Sequence, residues 1–587
     1  MNATGDRAPN FPRRDRSLQA LARDMREILN SVEFESENHR KAALRRLLHE
    51  HAAGAAARVV HAALDRAGHG DLPVLAAVAL LAGAAGALSF GFTLEWDLLN
   101  YQLYNPHALL TGRGAIDVAP AQLQTFLNPA LHLPVYLLFR YAGPAVLIAV
   151  VGAVQAAQAV LLYLVADAVT NGRFRQGPAL LLVAALGLGG PIFLNQLGSS
   201  QGDTLVSALV LGGLLIVLRE ARSAQGDRTL RAALAAGLLL GLAIALKLTF
   251  TSYAIGLGVA ALIVFSGARR WKMAAGLVAG GVTGLLLIGG PWYLHQWAEW
   301  GNPLLPYFNN LFQSPWVGPS SYRDLRFMPS GAVEWIFYPF VWFMDPQQVW
   351  EYRFRDIRVP LALLAVFLLP LFGWRRLRAN QPVLLLVCLF LAVSYLLWLK
   401  VFSIYRYLSV LELLAPVVLF AAAVLLTRTR GQLLACVVFL GLTQFAVKYV
   451  RPPSSDQFTM ETPTALAALE PGTMVVIDGY APVGYHALWL DDRVPMIRIR
   501  SNFMSDPEPR YGLHRLADQR VRQHTGPLFL LQHESDAEAA FREPDLARVG
   551  LALPDPADCR PAVDPETLQK KLGAWLCPLK RLEAPES

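Results

Sequence analysis

Residues 73–105 read PVLAAVALLAGAAGALSFGFTLEWDLLNYQLYN, in which a long apolar run passes directly into a polar segment with two acidic residues. An apolar run of about 20 residues is long enough to cross a bilayer as a helix. Similar runs recur as far as Val447, and the chain is 54% hydrophobic but only 16% charged. Soluble proteins carry about 25% charged residues. The composition therefore argues against a series of soluble domains and predicts a polytopic α-helical membrane protein.

About eleven membrane-spanning helices are predicted from the apolar runs. The second run is too long for one straight helix, and Gly143-Pro144 is expected to break it. The fifth and sixth runs are separated by little more than Lys247. The predicted spans are 73–92, 134–167, 178–195, 203–218, 230–246, 249–265, 272–291, 358–374, 381–400, 408–426 and 431–447.

Short basic clusters follow every second predicted span. They are Arg173 and Arg175, Arg219 to Arg231, Arg269 to Lys272, Arg375 to Arg378, and Arg428 with Arg430. All lie on one side of the predicted membrane, which the positive-inside rule assigns to the cytoplasm. The N-terminus is then cytoplasmic and the C-terminus outside. The net charge of +8 is spread over these clusters instead of forming one basic stripe, which argues against a nucleic-acid partner.

The chain divides into three parts on this topology. Residues 1–71 form a polar cytoplasmic N-terminal segment, residues 72–449 form the transmembrane domain, and residues 450–587 form an extracytoplasmic domain. In the last part strand-like runs alternate with helical ones, which predicts a small α/β fold. Cys559 and Cys577 lie in this part, and the sequence leaves open whether they form a disulfide or two free thiols.

The first outer loop contains the strongest candidates for chemistry. Glu95 and Asp97 follow the first span directly, where burial against lipid and protein can tune the pKa of a carboxylate for use as a general base. The alternative is that both are solvated loop charges or residues at a helix N-terminus. Tyr101, Asn105 and His107 follow in the same loop and are candidates for further substrate contacts.

Three charged residues elsewhere are predicted to lie on the same outer face. Asp203 opens the fourth span, and its alternative role is that of a helix N-cap. Lys247 lies between the fifth and sixth spans, and Arg406 comes just before the tenth. A charge at membrane depth suggests function, although snorkelling to the interface explains both cations equally well. No histidine spacing indicates a metal site, so metal dependence stays open.

The order of these features resembles the GT-C glycosyltransferase superfamily, whose members use polyprenyl-phosphate-linked sugar donors. The acidic motif Glu95-Trp96-Asp97 in the first outer loop, a juxtamembrane helix expected at 119–133 and Asp203 in the next outer loop match that superfamily. Gly290-Pro291-Trp292-Tyr293, followed by the stretch from Gly301 to Tyr307, resembles a Pro-Trp…Gly-Asn-Pro pattern in its bacterial members. The resemblance covers about residues 73 to 450 and rests on the order and sidedness of short motifs.

The resemblance implies an inverting hexosyl- or pentosyltransferase of the bacterial inner membrane, with its C-terminal domain in the periplasm. Asp97 would deprotonate the acceptor hydroxyl, with Glu95 in reserve, and Asp203 would orient the acceptor or help to hold a divalent cation, Mg or Mn. The departing lipid phosphate would be bound by Arg406, Lys247, Arg113 and Tyr405. The acceptor would be a lipid, glycan or protein of the envelope.

Three other functions remain open on the sequence. A membrane transporter or lipid flippase is disfavoured because the candidate residues gather at one membrane face and no internal repeat is visible. A non-catalytic envelope scaffold would depend on the residues after Tyr449 and not on Asp97. A polymer ligase or polymerase is too close in chemistry to be separated by sequence.

Overall fold

The structure is a computed structural model that describes residues 72–582, apart from 175–176, 224–227, 456–457, 462–463, 503, 505–509, 534–538 and 564–572. The predicted N-terminal segment, residues 1–71, lies outside the described residues.

Most of the described chain before residue 447 is helical. Within the described residues, eight helices are long and apolar enough to cross a membrane: Leu72–Phe90, Pro129–Val169, Asp203–Arg222, Thr229–Leu246, Gly267–Ile288, Arg358–Asn380, Pro382–Val401 and Tyr405–Leu426. Four shorter apolar helices are Pro178–Gly187, Leu248–Val264, Ala332–Met344 and Arg430–Ala446. Each predicted span falls on one of these helices, and the predicted fold class is confirmed. The number of membrane crossings stays a prediction.

The second predicted span is broken where the sequence indicated. Gly143 has φ 81° and ψ 168°, which interrupts the helix Leu133–Ala156 one residue before Pro144. A positive φ favours glycine because it has no Cβ. The long apolar run is therefore two helical pieces with different directions.

The juxtamembrane helix expected at 119–133 is not continuous. Residues Gln122–Phe126 and Pro129–Leu131 form two short 3₁₀ turns, and the chain between them is extended. Asn128 precedes Pro129, a position that disfavours the α conformation. The expectation of a regular helix was therefore wrong, and the segment is a folded loop.

Two helices of the bundle pack through glycine faces. A Cβ on Gly241 would lie 2.0 Å from the carbonyl oxygen of Gly281, and a Cβ on Gly280 would lie 2.2 Å from that of Leu234. Small residues allow membrane helices to approach this closely. The contact holds Thr229–Leu246 against Gly267–Ile288, and Lys247 directly follows the first of these helices.

The C-terminal part contains a five-stranded sheet with helices, in agreement with the predicted small α/β fold. Its strands are β1 Met474–Ile477, β2 Met496–Arg498, β3 Leu528–His533, β4 Arg560–Pro561 and β5 Ala574–Leu579. The order is β2-β1-β3-β5-β4, in which β1 is parallel to β2 and β3 whereas β5 is antiparallel to β3 and β4. The same part of the chain contains the helices Gly512–Gln523 and Ala539–Arg548. Cys559 and Cys577 form a disulfide, the first of the two alternatives.

The first outer loop is attached to this sheet. Val118 forms a parallel bridge beside β2: its N–H donates to Met496 O at 3.0 Å, and its carbonyl accepts from Arg498 N at 3.0 Å. The fully buried Arg498 side chain also donates to Pro120 O at 2.7 Å. Gly484 packs so tightly that a Cβ there would lie 2.1 Å from Asn100 O. The loop that follows Glu95 and Asp97 is therefore held between the helix bundle and the outer sheet.

Candidate active site

Glu95 joins the first and second outer loops. Its side chain is buried, and Oε1 accepts hydrogen bonds from Ser199 Oγ at 2.9 Å and Ser200 Oγ at 3.2 Å. The preceding residue is anchored by a bond from Leu94 N to Pro453 O at 2.7 Å. The first outer loop and the loop that precedes Asp203 are therefore in contact.

Asp97 is paired with Arg406. Arg406 Nη1 donates to Asp97 Oδ2 at 2.7 Å, and the two side chains retain 20% and 12% exposure respectively. The Arg406 guanidinium lies 5.2 Å from the centre of the Tyr407 ring. This pair is therefore partly exposed, unlike the buried Glu95.

Asp203 is paired with Lys247 through Oδ1 and Nζ at 2.5 Å, and Asp203 is fully buried. Gln196 Nε2 donates to Asp203 Oδ2 at 3.0 Å. The N-cap position belongs to Gly202, so the capping alternative for Asp203 is not what the structure shows. Lys247 Nζ also donates to Gln201 O at 3.0 Å.

The two ion pairs meet at Tyr407. Lys247 Nζ lies 5.5 Å from the centre of the same ring that Arg406 covers. A cation within about 6 Å of an aromatic ring is attracted to it. Asp97 and Lys247 also lie within electrostatic range of His132, whose ring packs edge-on against Tyr101 at 5.4 Å between centroids. We call Glu95, Asp97, Asp203, Lys247, Arg406 and Tyr407 the outer cluster.

Residues 126–399 match the model of glycosyltransferase family 87. The match supports a GT-C membrane glycosyltransferase. The resemblance predicted from the sequence is thereby confirmed, and Asp203 and Lys247 lie within the matched segment. No curated protein matches the sequence.

Solved structures of ArnT from Cupriavidus metallidurans also align with this chain. One is bound to undecaprenyl phosphate and the other is in the apo state. Both are 13% identical in sequence, and each alignment covers 86% of this chain and 97% of the ArnT chain. The TM-scores are 0.47 and 0.45.

Tyr101 packs against His132 within electrostatic range of Asp97, whereas four other predicted site residues are not brought to the outer cluster. Tyr405 is fully buried and stacks on Phe354 at 4.0 Å between ring centroids. Asn105 Nδ2 donates to Gln124 O, and His107 Nδ1 lies 3.0 Å from Tyr136 Oη. In the 3₁₀ turn Tyr405–Leu408, Tyr405 packs on Phe354, whereas Tyr407 lies against Arg406 and Lys247.

Arg113 is the fourth, and it serves the attachment of the outer sheet. It is fully buried, contacts Asp117 through Nε at 3.1 Å, and donates through Nη2 to Val494 O at 2.7 Å. Asp117 in turn accepts from Met496 N at 2.8 Å. Arg113 is therefore held by Asp117, Asp491 and Val494, and its predicted role in binding lipid phosphate stays a prediction.

The replacement Arg113→Met is expected to destabilise the protein without affecting the outer cluster. Removing one partner of a buried ion pair costs about 3–5 kcal/mol, because the other charge stays buried. Thermal unfolding in detergent should show the loss, and the double variant Arg113→Met/Asp117→Asn should recover much of it. A loss of phosphate-lipid binding in the stable double variant would contradict this assignment.

Sequence reasoning missed several polar residues of the site. Glu95 accepts hydrogen bonds from Ser199 and Ser200, and Lys247 donates one to Gln201 O. Gln102 accepts a hydrogen bond from Ser200 Oγ. Their signal was present in the polar stretch 196–203, which precedes an apolar span. Arg406 has a tyrosine on each side in the sequence, Tyr405 and Tyr407. Only the structure shows that Tyr407 is the one that faces the cations.

The outer cluster does not fit a divalent cation. Among the described residues there is no group of three His, Cys, Asp or Glu side chains that could hold a metal ion. The carboxylates of Asp97 and Asp203 each already face a cationic side chain. We therefore derive no step through a metal.

Burial raises the pKa of Glu95 from its ordinary 4.5 to about 7, and the negative charge of Asp97 adds to the rise, whereas hydrogen bonds from Ser199, Gln201 and Ser200 oppose it. Between pH 4.5 and about pH 7, Glu95 keeps its proton in the folded protein and loses it in the unfolded chain. The contribution of Glu95 to stability is therefore complete below about pH 4.5 and is lost as the pH rises through about 7.

We expect Glu95→Gln to remove this pH dependence. The unfolding midpoint in detergent should be measured from about pH 5 to about pH 8 for both proteins, with the exposed Glu299→Gln as the control. A profile of Glu95→Gln that still falls as steeply as that of the unmodified protein would show that another group titrates.

Proposed function

We propose that the protein transfers a sugar from a polyprenyl phosphate to an envelope acceptor on the outer face of the bacterial inner membrane. The observation that carries the proposal is the meeting of two ion pairs, Asp97–Arg406 and Asp203–Lys247, over the ring of Tyr407. It places two cations and one partly exposed carboxylate together at one end of a membrane bundle. A leaving phosphate and a general base need these groups in this proximity.

Lys247 and Arg406 are proposed to bind the phosphate of the donor. Arg406 Nε is buried and has no hydrogen-bond partner, so the guanidinium retains a donor for an anionic ligand. Hydrogen bonds between a cation and a phosphate oxygen are about twice as strong as neutral ones. Asp203 is committed to Lys247 by its complete burial, and we assign it to positioning that cation instead of to orienting the acceptor.

Asp97 is proposed as the general base, with Glu95 in reserve. Donor phosphate competes with Asp97 for Arg406, and the carboxylate released in this way can accept the proton of the acceptor hydroxyl. The acceptor oxygen forms a bond to the anomeric carbon while the bond from that carbon to the phosphate oxygen breaks. The phosphate leaves with the electron pair, next to Lys247 and Arg406, and a single displacement inverts the anomeric centre.

The topology is part of the proposal. Residues 1–71 are placed in the cytoplasm, residues 72–449 in the membrane and residues 450–587 in the periplasm, because the basic clusters alternate with the spans. The outer cluster then faces the periplasm, where the acceptor would be a lipid, glycan or protein.

Binding of undecaprenyl phosphate tests the phosphate site directly. The full chain in lipid nanodiscs should bind this lipid, and Arg406→Met should weaken binding about tenfold or more, because a charge-assisted hydrogen bond is lost. Lys400→Met, an exposed outer-face lysine that packs over Trp335, is the matched control. Equal affinity in the unmodified protein and Arg406→Met would contradict the proposed phosphate site.

A chelator should leave transfer unchanged. Asp203, the candidate ligand of a divalent cation, already faces Lys247, and Asp97 faces Arg406. Dialysis against EDTA is therefore expected to change the initial rate of transfer by less than about twofold, since no charge neutralisation is lost. A large fall in the rate of transfer that added Mg or Mn reverses would show that a divalent cation takes part.

A further inference from the structure

One buried side-chain amide contacts both of the residues that Lys247 binds. Lys247 Nζ lies 2.5 Å from Asp203 Oδ1 and donates to Gln201 O at 3.0 Å. Gln196 Nε2 donates to the second carboxylate oxygen of Asp203 at 3.0 Å and to Gln201 Oε1 at 2.7 Å. Gln196 is fully buried. A single amide therefore joins the two residues that hold the ammonium group of Lys247.

The orientation of the Gln196 amide is fixed by its partners. Its nitrogen faces the two oxygens of Asp203 and Gln201, and its Oε1 accepts from Thr204 N at 3.2 Å. An amide donates only through nitrogen and accepts only through oxygen. Turning it over would set oxygen against oxygen and the NH₂ group against the Thr204 N–H. Gln196 therefore holds Asp203 and Gln201 in one arrangement.

A second buried glutamine supports the first from another helix. Gln155 lies in the helix Leu133–Ala156, and its Nε2 donates to Gln196 O at 2.9 Å and to Thr204 Oγ1 at 2.7 Å. Its Oε1 accepts from Gly198 N at 2.8 Å. A satisfied network of buried hydrogen bonds makes a segment rigid. The segment that carries Gln196 is thus anchored to the second span.

We infer that Gln196 is a positioning residue for Lys247 in the proposed phosphate site. The inference rests on the proposed function, and it adds a residue that acts through Asp203 and Gln201 and not on the donor. Lysine carries its charge on a flexible side chain with three donors. Asp203 and Gln201 accept two of these donors, which leaves the third for a phosphate oxygen.

The test measures binding of undecaprenyl phosphate to the full chain in nanodiscs. Gln196→Met should weaken binding about tenfold, because Asp203 loses a hydrogen bond and no longer holds Lys247 in place. The same change is then made in the variant Lys247→Met/Asp203→Asn. There it should alter the affinity by less than about twofold, because the cation that Gln196 positions is already absent.

Gln158→Met is the matched control. Gln158 is also a buried glutamine of this network, but its Nε2 donates to the backbone oxygens of Gln155 at 3.0 Å and Thr204 at 2.7 Å. Its replacement should keep the affinity for undecaprenyl phosphate within about twofold of the unmodified protein. Thermal unfolding in detergent shows whether each variant is folded.

The exchange Gln196→Glu/Asp203→Asn keeps the test decisive if Gln196→Met is unstable. It reverses the amide and the carboxylate, so that one negative charge and the hydrogen bond between the two side chains are retained. Glutamate also keeps the acceptor for Thr204 N. The affinity should return to within about threefold of the unmodified protein. Gln196→Glu alone sets two carboxylates side by side and should not restore it.

Two results would overturn the positioning role of Gln196. One is an equal loss of affinity from Gln196→Met with and without Lys247, because Gln196 would then act on the fold alone. The other is weak binding by the exchange variant when it is folded. Unchanged affinity in Gln196→Met would overturn the role as well. If the unmodified protein does not bind undecaprenyl phosphate, the proposed phosphate site itself fails.

Discussion

Replacing Asp97 by asparagine is expected to lower the rate of sugar transfer by about 10²–10⁴-fold, the range that loss of a general base produces. The amide keeps the size and the hydrogen-bonding oxygen of the carboxylate but cannot take the proton of an acceptor hydroxyl. The side chain is partly exposed, so its replacement should not disturb a packed core. Initial rates at saturating donor, with purified protein in nanodiscs, measure the effect.

The matched control for this change is Asp345→Asn. Asp345 is an exposed carboxylate of an outer loop that accepts from Gln347 N and lies outside the outer cluster. The Asp345→Asn variant should transfer sugar at a rate within about twofold of the unmodified protein, as is usual for surface replacements. If Asp97→Asn transfers sugar as fast as the unmodified protein, the base is not Asp97, and Glu95 becomes the residue to test.

The second large effect is expected from Lys247→Met. The change removes a phosphate ligand and leaves the fully buried Asp203 without its cation. The unpaired buried charge should cost about 3–5 kcal/mol of stability. Donor binding should weaken about tenfold to a hundredfold, the equivalent of one charge-assisted hydrogen bond.

The double variant Lys247→Met/Asp203→Asn separates these two effects. Asparagine removes the buried charge, so thermal stability in detergent should recover, whereas affinity for undecaprenyl phosphate should stay low. Recovery of both properties would show that Lys247 acts on Asp203 and not on the donor. Lys400→Met again provides the control for loss of an outer-face lysine.

The predicted fold was accessible from the sequence because membrane spans are encoded locally. Each apolar run became a helix, and Gly143 broke the second run because its backbone adopts a positive φ. The predicted helix at 119–133 failed for a local reason as well, since Pro129 and the residue before it interrupt regular hydrogen bonding.

The site was predicted only as a set of separate residues. The predicted membrane topology placed four charged residues on one face: Asp97, Asp203, Lys247 and Arg406. It did not show that Asp97 pairs with Arg406 or that Asp203 pairs with Lys247. Those pairs join residues far apart in the chain and depend on how the helices pack. The ion pair of Arg113 with Asp117, four residues along the chain, was likewise not predicted.

The central claim is that this protein moves a sugar from a polyprenyl phosphate to an acceptor. The most direct measurement offers radiolabelled polyprenyl-phosphate sugars and a membrane extract as acceptor to the full chain in nanodiscs, beside the Asp97→Asn variant. We predict labelled product with the unmodified protein and a loss of about 10²–10⁴-fold with the variant. No labelled product from any donor, in a preparation that is folded, would contradict the claim, and the same nanodiscs would then be used to test lipid flipping.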